Sequence, residues 1–599
     1  MLQPTNRLTL IDAMRPPAGY VFDEAMAVTF TLDLRALLAA PAAFVLSRAV
    51  DVDEGDRGAH PEPIELIHAI RASAGRISVF SQAGEIALPP SRRVFAFLEG
   101  SVVSVTAPRG GVVHPKVWVL RYVDPEDQQW SQLRVLSASR NLTFDSSWDT
   151  VLRLDTTDDD QTAGVELHPI ADLFDALSHR SVGTLAETHQ RRVASLGADL
   201  RARRFALPAG ADDLSVHVLG LRASQPPFPA HMDRSLVVAP FASDDFLTRI
   251  VPNGIDELVS QGPQLDRLSA EAIEQVGEMY VFDDGSAVDS DDDGLADSDP
   301  ARPLQGLHAK IFAFETGGQA RLFCGSANAT GAAFNSNVEV LFELIGPVGT
   351  LGVDAICGGT DDEVGLRSLF LPHRPTPEPD LEADEPLAAV RRAIGRLEIT
   401  GEVEASGSGW AVTYRASNPI PLESDVTVEC WPLSSPGNRR PVAGGAPLSA
   451  RFETSLEGIS GFLVFQLTDP DGVQTSCVVP VQLEGVPPER DRQLLRSLVG
   501  SADRFLRYLL ALLVDGHDDL TLTDMVDEAT KDRPDTIDRA SGAGLPVLEH
   551  LVRTLRRNPA RLLSIDPLVT DLADDDALPD GFAHLWQQLR DVAGQRSTS

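Results

Sequence analysis

The chain has 599 residues, 43% of them apolar, and a formal net charge of −37 at neutral pH. That length accommodates about three or four domains with ample cores, and so negative a charge argues against a protein that coats nucleic acid through a broadly basic surface. No apolar run approaches the ~18 residues of a membrane-spanning helix, Met1–Arg7 lacks the basic start and apolar core of a signal peptide, and four cysteines suit a reducing compartment; a cytoplasmic location with no membrane partner is therefore expected.

Residues 1–205 read as a first α/β unit. Ile64, Ile67 and Ile70 recur at helical spacing and predict a helix within 63–73. The runs Arg76–Phe80, Val94–Leu98 and Val102–Val105 predict strands. His114-Pro115-Lys116 follows, flanked by Val112-Val113 and by Val117-Trp118-Val119-Leu120. Pro115 cannot donate to a ladder, so this strand starts there or has a free edge. A polar hairpin tip at Asp124–Gln129 precedes the strand Leu133–Leu136, which delivers Ser139-Arg140-Asn141-Leu142-Thr143. Residues 173–204 are predicted to be largely helical and carry Arg191, Arg192, Arg201, Arg203 and Arg204. This basic segment either flanks a cleft that holds a nucleic-acid backbone or is a helix face paired with the chain's many acids.

Residues 206–372 read as a second α/β unit. Leu236–Phe241 predicts a strand ending before Asp244-Asp245 and a helix; residues 264–277 predict a helix, and Met279–Phe282 a strand. Asp283–Asp299 is the most acidic tract. Asp289, Asp291, Asp293, Gly294 and Asp297 match the start of a calcium loop, but Pro300 replaces the carboxylate expected at its end. A solvated loop fits better, and its nearness to His308 also allows it to cover an anion-binding cleft. His308-Ala309-Lys310 then leads into Ile311-Phe312-Ala313-Phe314, and the strand Arg321–Cys324 leads to Gly325-Ser326-Ala327-Asn328.

Residues 373–387 form a proline- and acid-rich linker. Residues 388–487 turn to short alternating runs such as Trp410–Tyr414, Val426–Cys430 and Phe462–Leu467, with a hairpin signal at Asp471-Gly472. They predict a β-sandwich of immunoglobulin-like type, with Cys430 and Cys477 as buried thiols. Residues 488–599 read as a helical C-terminal domain. Leu494, Leu498, Phe505, Leu509 and Leu512 form an apolar stripe, and Val547–Arg557 and residues 581–592 are further helices. A helical cap or a partner-docking domain is expected there.

The two α/β units share one ordered set of polar residues. His114 and Lys116 recur about two hundred residues on as His308 and Lys310, and Ser139 and Asn141 recur as Ser326 and Asn328. In an extended segment residues two apart share a face, so each histidine points with its lysine. An imidazole serves as nucleophile or base and an imidazolium as acid. A lysine holds a phosphate oxygen, and a hydroxyl and an amide can donate to an oxyanion. From Lys310 to Ser326 is 16 residues and from Lys116 to Ser139 is 23, the difference fitting the longer loop at Asp124–Gln129. Asn337-Val338-Glu339 follows the second set, and Trp148-Asp149-Thr150 stands in its place after the first.

This pattern resembles the phospholipase D superfamily, whose signature is His-x-Lys, then Asp, then Gly-Ser-x-Asn. The resemblance implies an α/β fold of duplicated phospholipase D-like α-β-α halves forming one active site, with no metal and no cofactor. One histidine attacks phosphorus to give a phosphohistidine, and the other protonates the leaving oxygen. The residues it marks are His114, Lys116, Ser139, Asn141, His308, Lys310, Ser326 and Asn328, with Glu339 orienting a histidine; by the same resemblance His114 is the nucleophile and His308 the general acid. Arg121 and Glu315 stand where the signature has Asp, and Ala138 where it has glycine. The tyrosyl-DNA phosphodiesterase branch also lacks that Asp and has similar spacing.

The expected activity is that of a metal-independent nuclease on DNA or RNA, DNA favoured. The added domains resemble those of bacterial anti-phage subunits that work beside a helicase or ATPase, which implies a protein partner held by the C-terminal domains. Two other readings stand beside it. One is a catalytically weak or silent binding or scaffold subunit of a larger assembly. The other is a lipid phosphodiesterase, which the motif allows but no basic amphipathic helix supports.

Overall fold

The computed structural model describes residues 9–46, 70–282, 306–376, 386–499, parts of 551–569, and 582–597, with short interruptions at 72, 91–92, 128, 144–146, 158–163, 223–224, 359–364 and 421–424. The acidic tract with its candidate calcium loop lies outside the described residues. So do Ile64 and Ile67, Phe505, Leu509 and Leu512, and most of the helix expected at 547–557.

The molecule is mixed α/β with several sheets. The first contains β1 (Val21–Thr29), β2 (Ile77–Gln82), β3 (Val102–Val105), β4 (Val117–Val123), β5 (Ser131–Ala138) and β6 (Val151–Asp155), in the order β3-β2-β1-β4-β5-β6. The strands from β3 to β1 are parallel, and each step from β1 to β6 is antiparallel. The central strands read as nearly continuous apolar runs because both faces are covered. Alternate residues divide between two cores: Ala25, Ala27, Val79, Trp118 and Leu136 face one, while Met26, Val28, Phe80, Val119 and Val135 face the other.

A two-stranded pair, β7 (Gly164–Val165) with β8 (Phe205–Ala206), precedes the second large sheet. That sheet contains β9 (Asp213–Leu219), β10 (Arg234–Val238), β11 (Ile255–Ser260), β12 (Val276–Phe282), β13 (Ile311–Thr316), β14 (Gln319–Gly325), β15 (Glu339–Pro347) and β16 (Phe370–Pro372). Its order is β16-β12-β11-β10-β13-β14-β15-β9. The six inner strands, β12 to β15, repeat the order and directions of the first sheet. Helices His168–Ser178 and Glu187–Ala202 fill the space between: Leu173, Phe174 and Leu196 share one core with Val119 and Val135 of the first sheet and Val340 and Phe342 of the second.

Downstream lie two four-stranded sheets with a common core. One pairs Ile399–Ser406, Gly409–Pro419, Pro447–Thr454 and Gln482–Glu484; the other pairs Thr427–Pro432, Arg440–Pro441, Phe462–Thr468 and Gln474–Pro480. Val412 and Phe452 from the first meet Val428 and Phe465 from the second. Cys430 and Cys477 are buried free thiols here, and Gly472 takes φ +86° in the turn before Gln474. Trp431, Phe462 and Val478 on the outer face join the core under β1 and β2, so this β module is fixed to the first α/β unit. Among the described C-terminal residues, Arg490–Val499 and Phe582–Ser597 are helical; no described helix is long and apolar enough to cross a membrane.

Local expectations failed where tertiary contacts outweigh propensity. Val94–Leu98 is not a strand but part of a 3-10 helix, Arg93–Ser101. Phe95, Leu98 and Ser101 all bury, a spacing of three that the β-branched and aromatic composition concealed. The helix expected at 264–277 is two short turns, Gly262–Leu265 and Ala270–Ile273, before β12 begins at Val276. Most of the basic segment is structural. Arg192 is buried against Ser78 and Gly75. Arg201 pairs with Asp172 and Asp175, Arg203 with Ser131, and Arg204 with Gly164.

His189, beside Arg192, carries a pH dependence. Its Nδ1 accepts from Ser78 Oγ at 2.7 Å. Burial, and then the Arg192 cation, push its pKa down to about 4. An unfolded histidine titrates near ~6.5, so between these values the unfolded chain binds the extra proton. Stability present above pH ~6.5 is lost as pH falls toward about 4. Urea midpoints of the wild type should fall across that window, and His189→Gln should flatten the fall.

Candidate active site

Both His-x-Lys triplets lie just before strands rather than within them, since β4 begins at Val117 and β13 at Ile311. Each triplet leans on the opposite α/β unit. Val113 bridges to Val338, and Leu307 bridges to Trp148. His114 N donates to Val338 O at 2.9 Å and His308 N to Trp148 O at 2.8 Å. The crossing is tight: a Cβ at Gly111 would run into the backbone of Ser336, and within the second unit a Cβ at Gly220 (φ +76°) would run into that of Asn337.

The crossing brings Glu339 to His114. His114 Nδ1 lies 2.9 Å from Glu339 Oε2, and the same oxygen accepts from Ser326 Oγ at 2.5 Å. Ser326 is fixed in turn, its Oγ accepting from Val340 N at 3.0 Å. With Nδ1 donating to the carboxylate, Nε2 of His114 is the nitrogen left for a substrate. Burial pushes the His114 pKa down, Glu339 opposes this, and Lys116 and Lys310 add to the lowering. Neutral His114 is therefore the form at neutral pH, as a nucleophile requires.

The second histidine is held differently. His308 Nδ1 lies 3.0 Å from Ser139 O. Lys310 Nζ lies at the same 3.0 Å from Nδ1; the carbonyl can only accept and the ammonium only donate, so the two contacts call for opposite protonation of Nδ1. The two lysines are anchored alike: Lys116 Nζ donates to His114 O and Lys310 Nζ to His308 O, both at 2.7 Å. Both are buried, at 3% and 0% exposure. Burial drives the Lys116 pKa well below its ordinary value, with Glu339 opposing and Lys310 adding to the drop. Lys116 spends one of its three donors on a carbonyl, and Lys310 Nζ contacts both a carbonyl and His308 Nδ1.

The structure thus places His114, Lys116, Ser139, Asn141, His308, Lys310, Ser326, Asn328 and Glu339 around one junction. Ser139 and Ser326 serve the frame. Ser139 Oγ accepts from Thr150 N at 2.9 Å, as Ser326 Oγ does from Val340 N. Oδ1 of Asn141 and of Asn328 is buried without a hydrogen-bond partner among the described residues. An amide turned over at either position presents donors there instead, the polarity a phosphate oxygen requires. Among the described residues no group of three or more His, Cys, Asp or Glu side chains is placed to hold a metal ion.

The paired hydrogen bonds correct the sequence alignment by one residue. Thr150 matches Val340 and Trp148 matches Val338, so Asp149, not Thr150, is the counterpart of Glu339. Asp149 Oδ2 lies 3.3 Å from Arg140 Nε. Three further residues went unnoticed in the sequence. Gln82 Oε1 accepts from Val113 N at 2.8 Å, and Gln261 Nε2 donates to Leu307 O at 3.4 Å, each securing the residue before a histidine. Both follow a serine at the end of matching strands, β2 and β11, so the repeated dipeptides Ser81-Gln82 and Ser260-Gln261 were the available signal. Phe30 packs its ring 5.3 Å from that of His114.

No family model and no curated protein matches the chain. Among solved structures, a mutant of yeast tyrosyl-DNA phosphodiesterase matches at 11% identity and a TM-score of 0.29, covering 56% of this chain and 84% of that one. Polyphosphate kinase from Porphyromonas gingivalis matches at 13% identity and a TM-score of 0.26, covering 56% of this chain and 42% of that one, so the chain spans less than half of the kinase. Likeness at these TM-scores carries no argument about function.

The charges around His114 give a test that needs no substrate. Glu339 raises the His114 pKa, so Glu339→Gln should make that imidazole titrate at lower pH in a histidine NMR titration. Lys116 lowers it, so Lys116→Met should shift the same resonance to higher pH. A shift in the opposite sense in either variant would refute the assigned electrostatics.

Proposed function

We propose that the chain is a metal-independent phosphodiesterase of phospholipase D type, and that it is a nuclease with DNA as the favoured substrate. One observation carries this reading. Two imidazoles from two topologically matching units are each tied down through Nδ1, beside two buried lysines. Buried cations demand an anion, and a histidine from each unit suits in-line displacement at phosphorus. On this reading the two α/β units are duplicated halves spanning 1–205 and 206–372, joined through 373–387 to an immunoglobulin-like β-sandwich at 388–487 and a helical domain at 488–599.

The reaction follows from the proton positions. His114 Nε2 attacks phosphorus while Nδ1–H stays on Glu339, which stabilises the cation formed. His308 enters protonated and gives its Nε2 proton to the departing oxygen. It then takes a proton from the water that attacks the phosphohistidine, releasing His114. Lys116 and Lys310 hold the non-bridging oxygens, and Asn141 and Asn328 donate to them. The assignment of nucleophile and acid rests on the partners: a carboxylate supports a developing positive charge on His114, whereas a neutral carbonyl leaves His308 readier to release its proton.

The net charge of −37 favours substrate delivery by a protein partner, such as a helicase or ATPase docked on the C-terminal domains of an anti-phage assembly. The decisive assay is cleavage of labelled single- and double-stranded DNA and RNA in excess EDTA. Activity should persist in EDTA and fall ~10³-fold or more in His114→Ala and His308→Ala. With an aryl phosphodiester, whose leaving group needs no acid, His308→Ala should accumulate a phosphoryl adduct on His114. Cleavage that survives either substitution would reject the two-histidine mechanism.

A further inference from the structure

The β module touches the α/β units at a point that bears on the chemistry. The turn after β2, Ala83-Gly84-Glu85-Ile86, lies between the module and the first half of the site. On the module side, Arg391 Nη2 donates to both oxygens of Glu85 at 3.0 and 2.8 Å, and Arg391 Nη1 donates to Thr475 Oγ1 at 3.0 Å. Val478 N donates to Ile86 O at 3.0 Å. Gly84, at φ +83°, abuts the helix Pro386–Gly395 so closely that a Cβ there would lie 2.6 Å from Arg391 O. Glu85 is buried, at 6% exposure.

On the other side the same turn supports three groups of the site. Gln82, where the turn begins, accepts from Val113 N beside His114. Leu32 N donates to Glu85 O at 3.1 Å, and Leu32 bridges both Ile86 and Leu142, the neighbour of Asn141. Asp33 N donates to Leu142 O at 2.9 Å. Phe30, two residues from Leu32, carries the His114 ring. The second unit has its own versions of the inner links, Gln261 to Leu307 and Ala242 to Ala329. The described contacts from the module run to the first unit alone.

We propose that the Arg391–Glu85 clamp is a positioning device. Through it the β module sets the turn 82–87, and with it the placement of His114 and Asn141. Glu85 and Arg391 are positioning residues, not catalytic ones. This rests on the phosphodiesterase reading for its kinetic consequence but not for its structural one. An imidazole displaced by about an ångström costs up to ~10²-fold in turnover. Loss of the clamp should therefore lower kcat by a larger factor than it raises KM, because Lys310 and Asn328 of the second unit are untouched.

The test compares two ion pairs in one interface. Arg490 Nη2 lies 2.8 Å from Glu99 Oε2 and also ties the first unit to the module's end, without touching the turn. Arg391→Leu should cut kcat on a labelled oligonucleotide ~10- to ~100-fold, and Arg391→Lys should recover part of it; Arg490→Leu should lower thermal stability with little change in kcat. Hydrogen exchange is read in parallel, with faster exchange expected at the amides of Val113 and Leu142 in Arg391→Leu and not in Arg490→Leu. Equal effects of the two leucine variants would reduce the clamp to ordinary interface packing and overturn the proposal. If the wild type cleaves nothing, the phosphodiesterase reading fails, and the exchange result alone still decides the clamp.

Discussion

The site depends on an exchange of backbone hydrogen bonds between the two α/β units. The segment entering β4 finds its partner at Val338, at the entrance to β15, and the segment entering β13 finds its partner at Trp148. Buried amides must be satisfied, so each unit completes the other's histidine-bearing segment. Glu339 reaches His114, and Ser139 O reaches His308, as direct consequences. The acceptor that each of these imidazoles faces through Nδ1 comes from the other unit. The crossing also explains why glycine stands at 111, where the approach to Ser336 is too close for a side chain.

Matching topology does not give matching chemistry. The frames around Ser139 and Ser326 superpose hydrogen bond for hydrogen bond, yet Glu339 occupies one position and Asp149, paired with Arg140, the other. One imidazole therefore rests on a full negative charge and the other on a peptide dipole. On the proposed reading, this inequality suits one histidine to gain a positive charge while the other gives up a proton. The β module adds to it, since its clamp bears on the turn beside His114.

Much of this was legible because the signal was local and repeated. His-x-Lys and Ser-x-Asn each span three residues, and their recurrence in order marked the candidate site. Strands β2, β3, β5 and β10 announced themselves through apolar runs. What stayed hidden was set by tertiary contact. The pairing of Asp149 with the Glu339 position emerged only from the hydrogen bonds of Thr150 and Val340, because the loop between differs in length and blurs the register. Gln82 and Gln261 act through one amide each, which no periodicity marks. Arg192 and Arg201 looked like a basic face and proved to be structural, since their acceptors at Gly75, Ser78, Asp172 and Asp175 lie far off in sequence or on another helix.

The distribution of charge is the last constraint. A chain at −37 repels a polyanion at long range, and its field opposes rather than steers encounter. The positive charge that matters is placed at depth, on Lys116 and Lys310, and burial drives the Lys116 pKa down. Such a site gains little from a free strand passing in solution and much from a phosphodiester brought within hydrogen-bonding distance. On the proposed reading, selectivity lies in delivery: the acidic surface keeps stray nucleic acid away, and the buried lysines reward only a phosphate that has already been placed between the two histidines.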